Sequence, residues 1–315
     1  MVLALLFPGQ GSQEVGMGRD AAEASSAARA VFESADAALG FSLSKLCFEG
    51  PEEELRRTEI QQPAILTTSI ALLRALEEQV VPAPLCVAGH SLGEYSALVA
   101  TGALDFEDAV RLVHARGRFM QEAVPEGRGA MAAVMGCGPE VVEAACAHAA
   151  AQTGRVVAPA NYNGPAQTVI SGDAAAVEAA CSRARQEGAK RAVALDVSAP
   201  FHCDLMSAAA EKLALELARV RFSDPSAPVV TNVEAAACDS AERLPALLER
   251  QVTAPVRFTE SVIAMKAMGV ARVLEIGPGR VLSGLVARID RGFERASLSS
   301  FADVPAAAAF LTPAD

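Results

Sequence analysis

Gly89-His90-Ser91-Leu92-Gly93 follows a short apolar run, Pro84 to Ala88, and leads into a helix-compatible stretch, Glu94 to Ala100. That is the setting of a nucleophile elbow, where a serine on a sharp strand-to-helix turn projects its hydroxyl clear of the sheet. The N–H of Leu92 can then face a developing oxyanion, and the two glycines leave room for the crowded turn. A serine hydroxyl is a poor nucleophile at neutral pH and needs a base within hydrogen-bond reach, most often a histidine. Of the four histidines, His90 points away from its neighbour Ser91, His114 falls on the polar side of its helix, and His148 sits where exposure is expected. His202 follows Ser198-Ala199-Pro200-Phe201 at a re-entry between two parts of the chain, a place where clefts form. It is the predicted base. No histidine follows residue 202, so the usual lipase or esterase order of serine, acid and histidine is disfavoured.

Asp105 to Ala123 reads as a helix, with Asp105 as its cap and Glu107 and Asp108 in the first turn. At about 100° per residue, Ala109, Leu112, Val113, Phe119 and Met120 fall within about 60° of Arg116. Arg116 therefore sits centrally on the apolar face. A guanidinium drawn inside needs an anionic partner or several acceptors. An internal salt bridge to an Asp or Glu would satisfy it, and so would a substrate carboxylate held by two parallel bonds near Ser91.

The loop Phe7-Pro8-Gly9-Gln10-Gly11-Ser12-Gln13 comes straight off the first apolar run and can supply a second oxyanion N–H. No Gly-Lys-Ser/Thr follows, so it is not a phosphate loop. Seven cysteines form no C-x-x-C pair, and the histidines lack H-x-x-x-H spacing. No metal is assigned, and reduced thiols in a cytoplasmic protein are expected. The net charge of −11 disfavours nucleic acid, and no run approaches a membrane span.

The elements that must position these groups follow from periodicity. With 315 residues, a large domain plus a smaller one is expected. Met131 to Met135, Val156 to Tyr162, Gln167 to Ser171 and Arg191 to Val197 read as strands. Helices fall at Pro139 to Gln152 and, capped by Asp173, as far as Gln186, with Gly188 beyond its end. Asn163-Gly164-Pro165 is the turn between the middle strands. The order β-α-β-β-α-β is the ferredoxin-like split βαβ, which makes residues 127–196 a small inserted subdomain. Residues 1–126 and 197–315 form the larger body, α/β with a mostly parallel sheet and strands at Val2 to Phe7, Val229 to Asn232 and Val273 to Ile276. The Ala-rich stretches Ala21 to Ala30 and Ala306 to Ala309 read as helices, and the last few residues as frayed.

Taken together, FPGQGSQ at 7–13, QPAILTTSIAL at 62–72, GHSLGEYSAL at 89–98, RGRFMQEA at 116–123 and GAMAAVMG at 129–136 resemble the malonyl-CoA:acyl carrier protein transacylase family. The likeness continues through ANYNGPAQTVISG at 160–172, VSAPFHC at 197–203, RQVTAPVRF at 250–258 and EIGPGRVLSGL at 275–285, covering essentially the whole chain. Cys203 and Ala254 stand where serine is frequent in the family. Cys203 has no activating context as a rival nucleophile.

The resemblance implies an α/β-hydrolase-like body and a Ser91 acyl-enzyme, with His202 as base and then acid. It also implies an oxyanion hole from the N–H groups of Gln10 and Leu92, and Arg116 on the malonate carboxylate. The histidine would be oriented by the backbone carbonyl of Gln251. Asn161, Met120 and Phe201 would line the acyl site, Phe201 excluding a 2-methyl group. The donor would be malonyl-CoA and the acceptor the phosphopantetheine thiol of an acyl carrier protein, with no cofactor and a monomeric enzyme. Arg183, Arg185, Lys190 and Arg191 are candidates for docking the acidic carrier near the cleft mouth. Alternatives are an acyl hydrolase, a transferase for another acyl unit on the same scaffold, or a non-catalytic docking subunit.

Overall fold

In the computed structural model, which describes residues 2–125 and 127–312, the apolar opening run forms β1 (Leu3–Phe7). In chain order the other strands are β2 (Cys86–Gly89), β3 (Gly129–Met135), β4 (Val157–Gly164), β5 (Gln167–Asp173), β6 (Arg191–Ala194), β7 (Val229–Val230), β8 (Ala237–Cys238), β9 (Arg272–Ile276) and β10 (Glu294–Leu298). Six of them make a sheet of order β10-β9-β1-β2-β7-β8, parallel except for β8. Alternation along the central strands sends Leu3, Leu5, Phe7 and Val87 to one core and Ala4, Leu6, Cys86 and Ala88 to the other. Both faces are covered, as a parallel sheet requires.

From the centre of the sheet the chain adds strands first on one side of β1 and later on the other, and ligands bind beyond the carboxyl ends of strands at such a switch. Phe7 pairs with Gly89, so the loops after β1 and β2 leave the sheet side by side.

A 20-residue helix, Thr58–Glu77, is buried almost all round and runs through the larger core. Against it packs the helix Phe106–Glu122, capped by Asp105, whose carboxylate accepts from Glu107 N (2.9 Å) and Asp108 N (3.2 Å). Gly117 lets them meet, since a Cβ there would stand 2.5 Å from the Thr58 carbonyl oxygen. The contact brings Gln62 opposite Arg116.

The second sheet has the order β4-β5-β3-β6 with every pair antiparallel, and helices Pro139–Thr153 and Ala174–Gln186 cover one face. Met131, Ala133 and Val169 on its other face join the larger core. Backbone bonds from Tyr162 N to Val256 O (2.9 Å) and from Val256 N to Ala160 O (2.8 Å) tie β4 to the body.

Several boundaries differ from the sequence expectation. Asn163 and Gly164 lie within β4, which moves the hairpin turn to Pro165 and Ala166. β6 ends at Ala194 instead of Val197, and β7 stops at Val230, where Thr231 opens a turn, its N donating to Ala236 O and its O accepting from Ala235 N, and Asn232 N donates to Glu94 Oε2. Ser25 splits the first Ala-rich stretch by capping a second helix, its hydroxyl accepting from Ala28 N. The final residues, 313–315, lie outside those described. Among the described residues no helix is long and apolar enough to cross a membrane.

Candidate active site

Ser91 stands on the turn between β2 and the helix Gly93–Ala100 with φ 51°, and His202 has φ 60°. Left-handed backbone costs a non-glycine residue of order 1–3 kcal/mol and persists only when its surroundings over-determine it. Asn232 does so for the serine: its Oδ1 accepts from Ser91 N (2.6 Å) and its Nδ2 donates to Gly89 O (2.6 Å). Glycines let the β1 loop close over the turn. A Cβ on Gly9 would lie 2.3 Å from His90 O, and one on Gly93 would lie 2.0 Å from Phe7 O. The Gln10 and Leu92 N–H groups have no hydrogen-bond partner among the described residues, and Leu92 caps the positive end of the helix.

The Ser91 Oγ and His202 Nε2 atoms are 2.8 Å apart, and His202 Nδ1 lies 2.8 Å from Gln251 O. A carbonyl oxygen only accepts, so Nδ1 carries the proton and Nε2 is left with its lone pair toward the serine. Gln251 sits in the last turn of the helix Leu244–Thr253, where carbonyls lack helical partners. This neutral helix-end acceptor occupies the place of a triad acid.

Arg116 is 2% exposed and meets no carboxylate within ion-pair distance among the described residues. Its Nη1 donates to Gln62 Oε1 (2.8 Å), and its Nη2 donates to Ser91 Oγ (3.0 Å) and Gln251 Oε1 (3.0 Å). Its Nε is unpartnered, and its Cζ stands 5.6 Å from the Tyr95 ring centroid. Burial lowers its proton affinity, with Tyr95 and Glu94 opposing; a guanidinium remains charged nonetheless. The internal salt bridge that the sequence left open is thus absent, and neutral oxygens hold the cation beside the nucleophile.

Burial, and then Arg116, push the His202 imidazole down to about 3, against an ordinary value of 6.5. The imidazole is neutral throughout the physiological range. The acid limb of kcat/KM, which reports the free enzyme, is expected well below pH 6.5. A bound carboxylate would offset Arg116 and bring the limb of kcat back up toward that value. Stopped-flow acylation across pH checks both, and a kcat/KM limb at pH 6.5 would contradict the assignment.

Ser91, His202 and Arg116 open into a cavity of about 1220 Å³ that Gln10, Met120, Asn161 and Phe201 also line. Leu92, fully buried, stands behind it. Met120 accepts a long contact from Gln62 Nε2 to its Sδ (3.8 Å). His90 is turned aside, its Nε2 2.8 Å from Asn163 Oδ1. Cys203 is buried, its Sγ bonded to Pro200 O (3.2 Å), and burial raises its thiol further.

The expected basic patch is not at the cleft. Arg183 is paired with Glu187 and Arg185 donates to Ala192 O (2.7 Å). Lys190 and Arg191 adjoin the Met135 end of β3, whereas the cavity touches its Gly129 and Met131 end. The cations at the mouth are Arg56 and Arg57, each in contact with acidic neighbours. Gln62, Asn232 and Glu94 were missed by sequence reasoning, although Gln62 opens one of the family blocks and Glu94 lies within another. Among the described residues no cluster of His, Cys, Asp and Glu is arranged to hold a metal.

Residues 4–306 match the acyl transferase domain family. The chain belongs to that family. Within it, the malonyl CoA-acyl carrier protein transacylase of Escherichia coli K12 is 51% identical over 286 residues, 91% of this chain and 92% of that protein. Among solved acyl transferases, an acyl carrier protein S-malonyltransferase from Vibrio cholerae superposes with a TM-score of 0.94 at 45% identity, over 98% of this chain and 100% of the other. A malonyl-transacylase solved in complex with its type II PKS acyl-carrier protein superposes with a TM-score of 0.95 at 46% identity, again over 98% and 100%.

Proposed function

We propose that the protein moves a malonyl group from coenzyme A to the phosphopantetheine thiol of an acyl carrier protein by a ping-pong route through Ser91. The observation that carries this reading is Arg116, a buried cation 3.0 Å from Ser91 Oγ with no carboxylate partner among the described residues. A neutral acyl chain leaves it unmatched, while a diacid supplies the missing anion.

His202 Nε2 takes the Ser91 proton as Oγ bonds the thioester carbon, and the carbonyl oxygen becomes an oxyanion against the N–H groups of Gln10 and Leu92. Collapse expels the coenzyme A thiolate, which leaves with the proton from Nε2. The carrier thiol then gives its proton to Nε2 and attacks the acyl ester, and Ser91 departs reprotonated. This sequence calls on no dissociable cofactor or metal, and the reading puts the enzyme in the cytoplasm, in keeping with its free cysteines. Residues 1–126 and 197–315 supply the reacting groups, while the inserted residues 127–196 supply Asn161 and one wall of the cleft.

Phe201 lines the cavity next to His202, and in this reading its ring takes the space that a 2-methyl group would need. Phe201→Ser is expected to raise the methylmalonyl-to-malonyl ratio of kcat/KM by about tenfold to a hundredfold, the range for one methyl-sized group. Competition between the two thioesters measures it.

Intact-mass detection after mixing with malonyl-, methylmalonyl- and acetyl-CoA, followed by holo carrier protein, tests the reaction itself. A malonyl adduct that disappears as the carrier gains it is expected. Adducts formed equally from acetyl-CoA, or discharged to water when carrier is present, would overturn the reading in favour of another acyl unit or a hydrolase.

A further inference from the structure

Beneath the nucleophile turn runs a buried chain of polar groups that the transfer steps use only at one end. Arg116 Nη2 donates to Gln251 Oε1 (3.0 Å), and Gln251 Nε2 donates to Glu94 Oε2 (2.9 Å) and Ser91 O (3.1 Å). The same Glu94 oxygen accepts from Asn232 N (2.9 Å). Glu94 is 1% exposed and Gln251 fully buried.

Bond directions along this chain are forced. A guanidinium offers donors only, so the Gln251 amide must show it Oε1 and turn Nε2 the other way. Glu94 is the side chain that receives that Nε2 within 3 Å. Were the amide to turn over, donor would face donor at Arg116. Interposing an amide also keeps the carboxylate out of direct contact with the cation, so the guanidinium is not consumed by an internal ion pair.

We propose that Glu94 is a positioning residue that sets acyl specificity: through Gln251 it fixes the orientation in which Arg116 meets a carboxylate on the acyl group. This rests on the reading of Arg116 as the malonate clamp. The His202 acceptor is a different part of Gln251, a backbone carbonyl held in place by its helix. Losing Glu94 therefore acts first on recognition of the carboxylate: the support of His202 Nδ1 stays, and Asn232, which loses one backbone bond, keeps its side-chain bonds to Ser91 N and Gly89 O.

The test compares malonyl-CoA with acetyl-CoA as acyl donors for Glu94→Ala, Glu94→Asp, Glu94→Gln and, alongside, Arg116→Ala. Glu94→Ala is expected to lower kcat/KM for malonyl-CoA by about tenfold to a hundredfold, carried by KM, with acetyl-CoA changed less than about threefold. Glu94→Gln should restore most of the loss, because its carbonyl oxygen can take the Oε2 place and accept both bonds. Glu94→Asp withdraws the acceptor by one methylene and should show the same split at smaller size, which keeps the test open if the alanine variant does not fold. Parallel losses for both donors, or no rescue by glutamine, would overturn the proposal. If Arg116→Ala itself keeps the malonyl preference, the clamp reading fails; if it loses that preference while Glu94→Ala and Glu94→Asp do not, only the role of Glu94 fails.

Discussion

Ser91→Ala is expected to abolish the malonyl adduct and to slow transfer by about 10⁴-fold or more, the scale on which removing a triad nucleophile acts. The neighbouring thiol is no substitute. Cys203 is buried and bonded to the Pro200 carbonyl, and its thiol is raised by burial instead of activated. His202 would persist as a base with no hydroxyl to serve, and the Gln10 and Leu92 N–H groups would bind substrate without acylation. Intact mass and single-turnover release of coenzyme A measure the loss, and an adduct surviving on the variant would remove Ser91 from the mechanism.

Arg116→Ala is expected to lower kcat/KM for malonyl-CoA by about two to four orders of magnitude while acetyl-CoA changes far less, so that preference between them shrinks or inverts. Leaving a buried carboxylate without its cation costs ~3–5 kcal/mol. Acetyl thioester brings no such charge. Arg116→Lys should recover only part of the loss, because an ammonium cannot reproduce the fork that reaches Gln62 Oε1 with Nη1 and both Ser91 Oγ and Gln251 Oε1 with Nη2. Equal losses for both thioesters would show that the arginine serves the serine alone.

Local patterns carried much of the site. The elbow was legible because its glycines, its apolar lead-in and its following helix are contiguous, and Arg116 because helical periodicity placed it among Ala109, Leu112, Val113 and Met120. An apolar run at Met131 to Met135, two strand-like runs after it and the alternation of Arg191 to Val197 disclosed the smaller sheet. Asn232 and Glu94 had no such signature, since their bonds join residues 138 and 141 positions apart in sequence. Asn232 in particular closed a stretch that read as strand, whereas the chain turns at residues 232–234 and Asn232 bonds the elbow. Of the four basic residues expected near the cleft, Arg183 is paired within its own helix, four residues before Glu187, the spacing of a helix-surface ion pair.

Holding His202 by a peptide carbonyl instead of an anion has a thermodynamic outcome for an exchange between two thiols of the same kind. An aspartate would keep the imidazolium as a comfortable resting place, and the proton would return reluctantly to the departing sulfur. A neutral dipole at the end of a helix stabilises that charged state less than an anion would. The proton is lent and given back in either direction with similar ease, which suits a catalyst whose donor and acceptor thioesters differ little in energy.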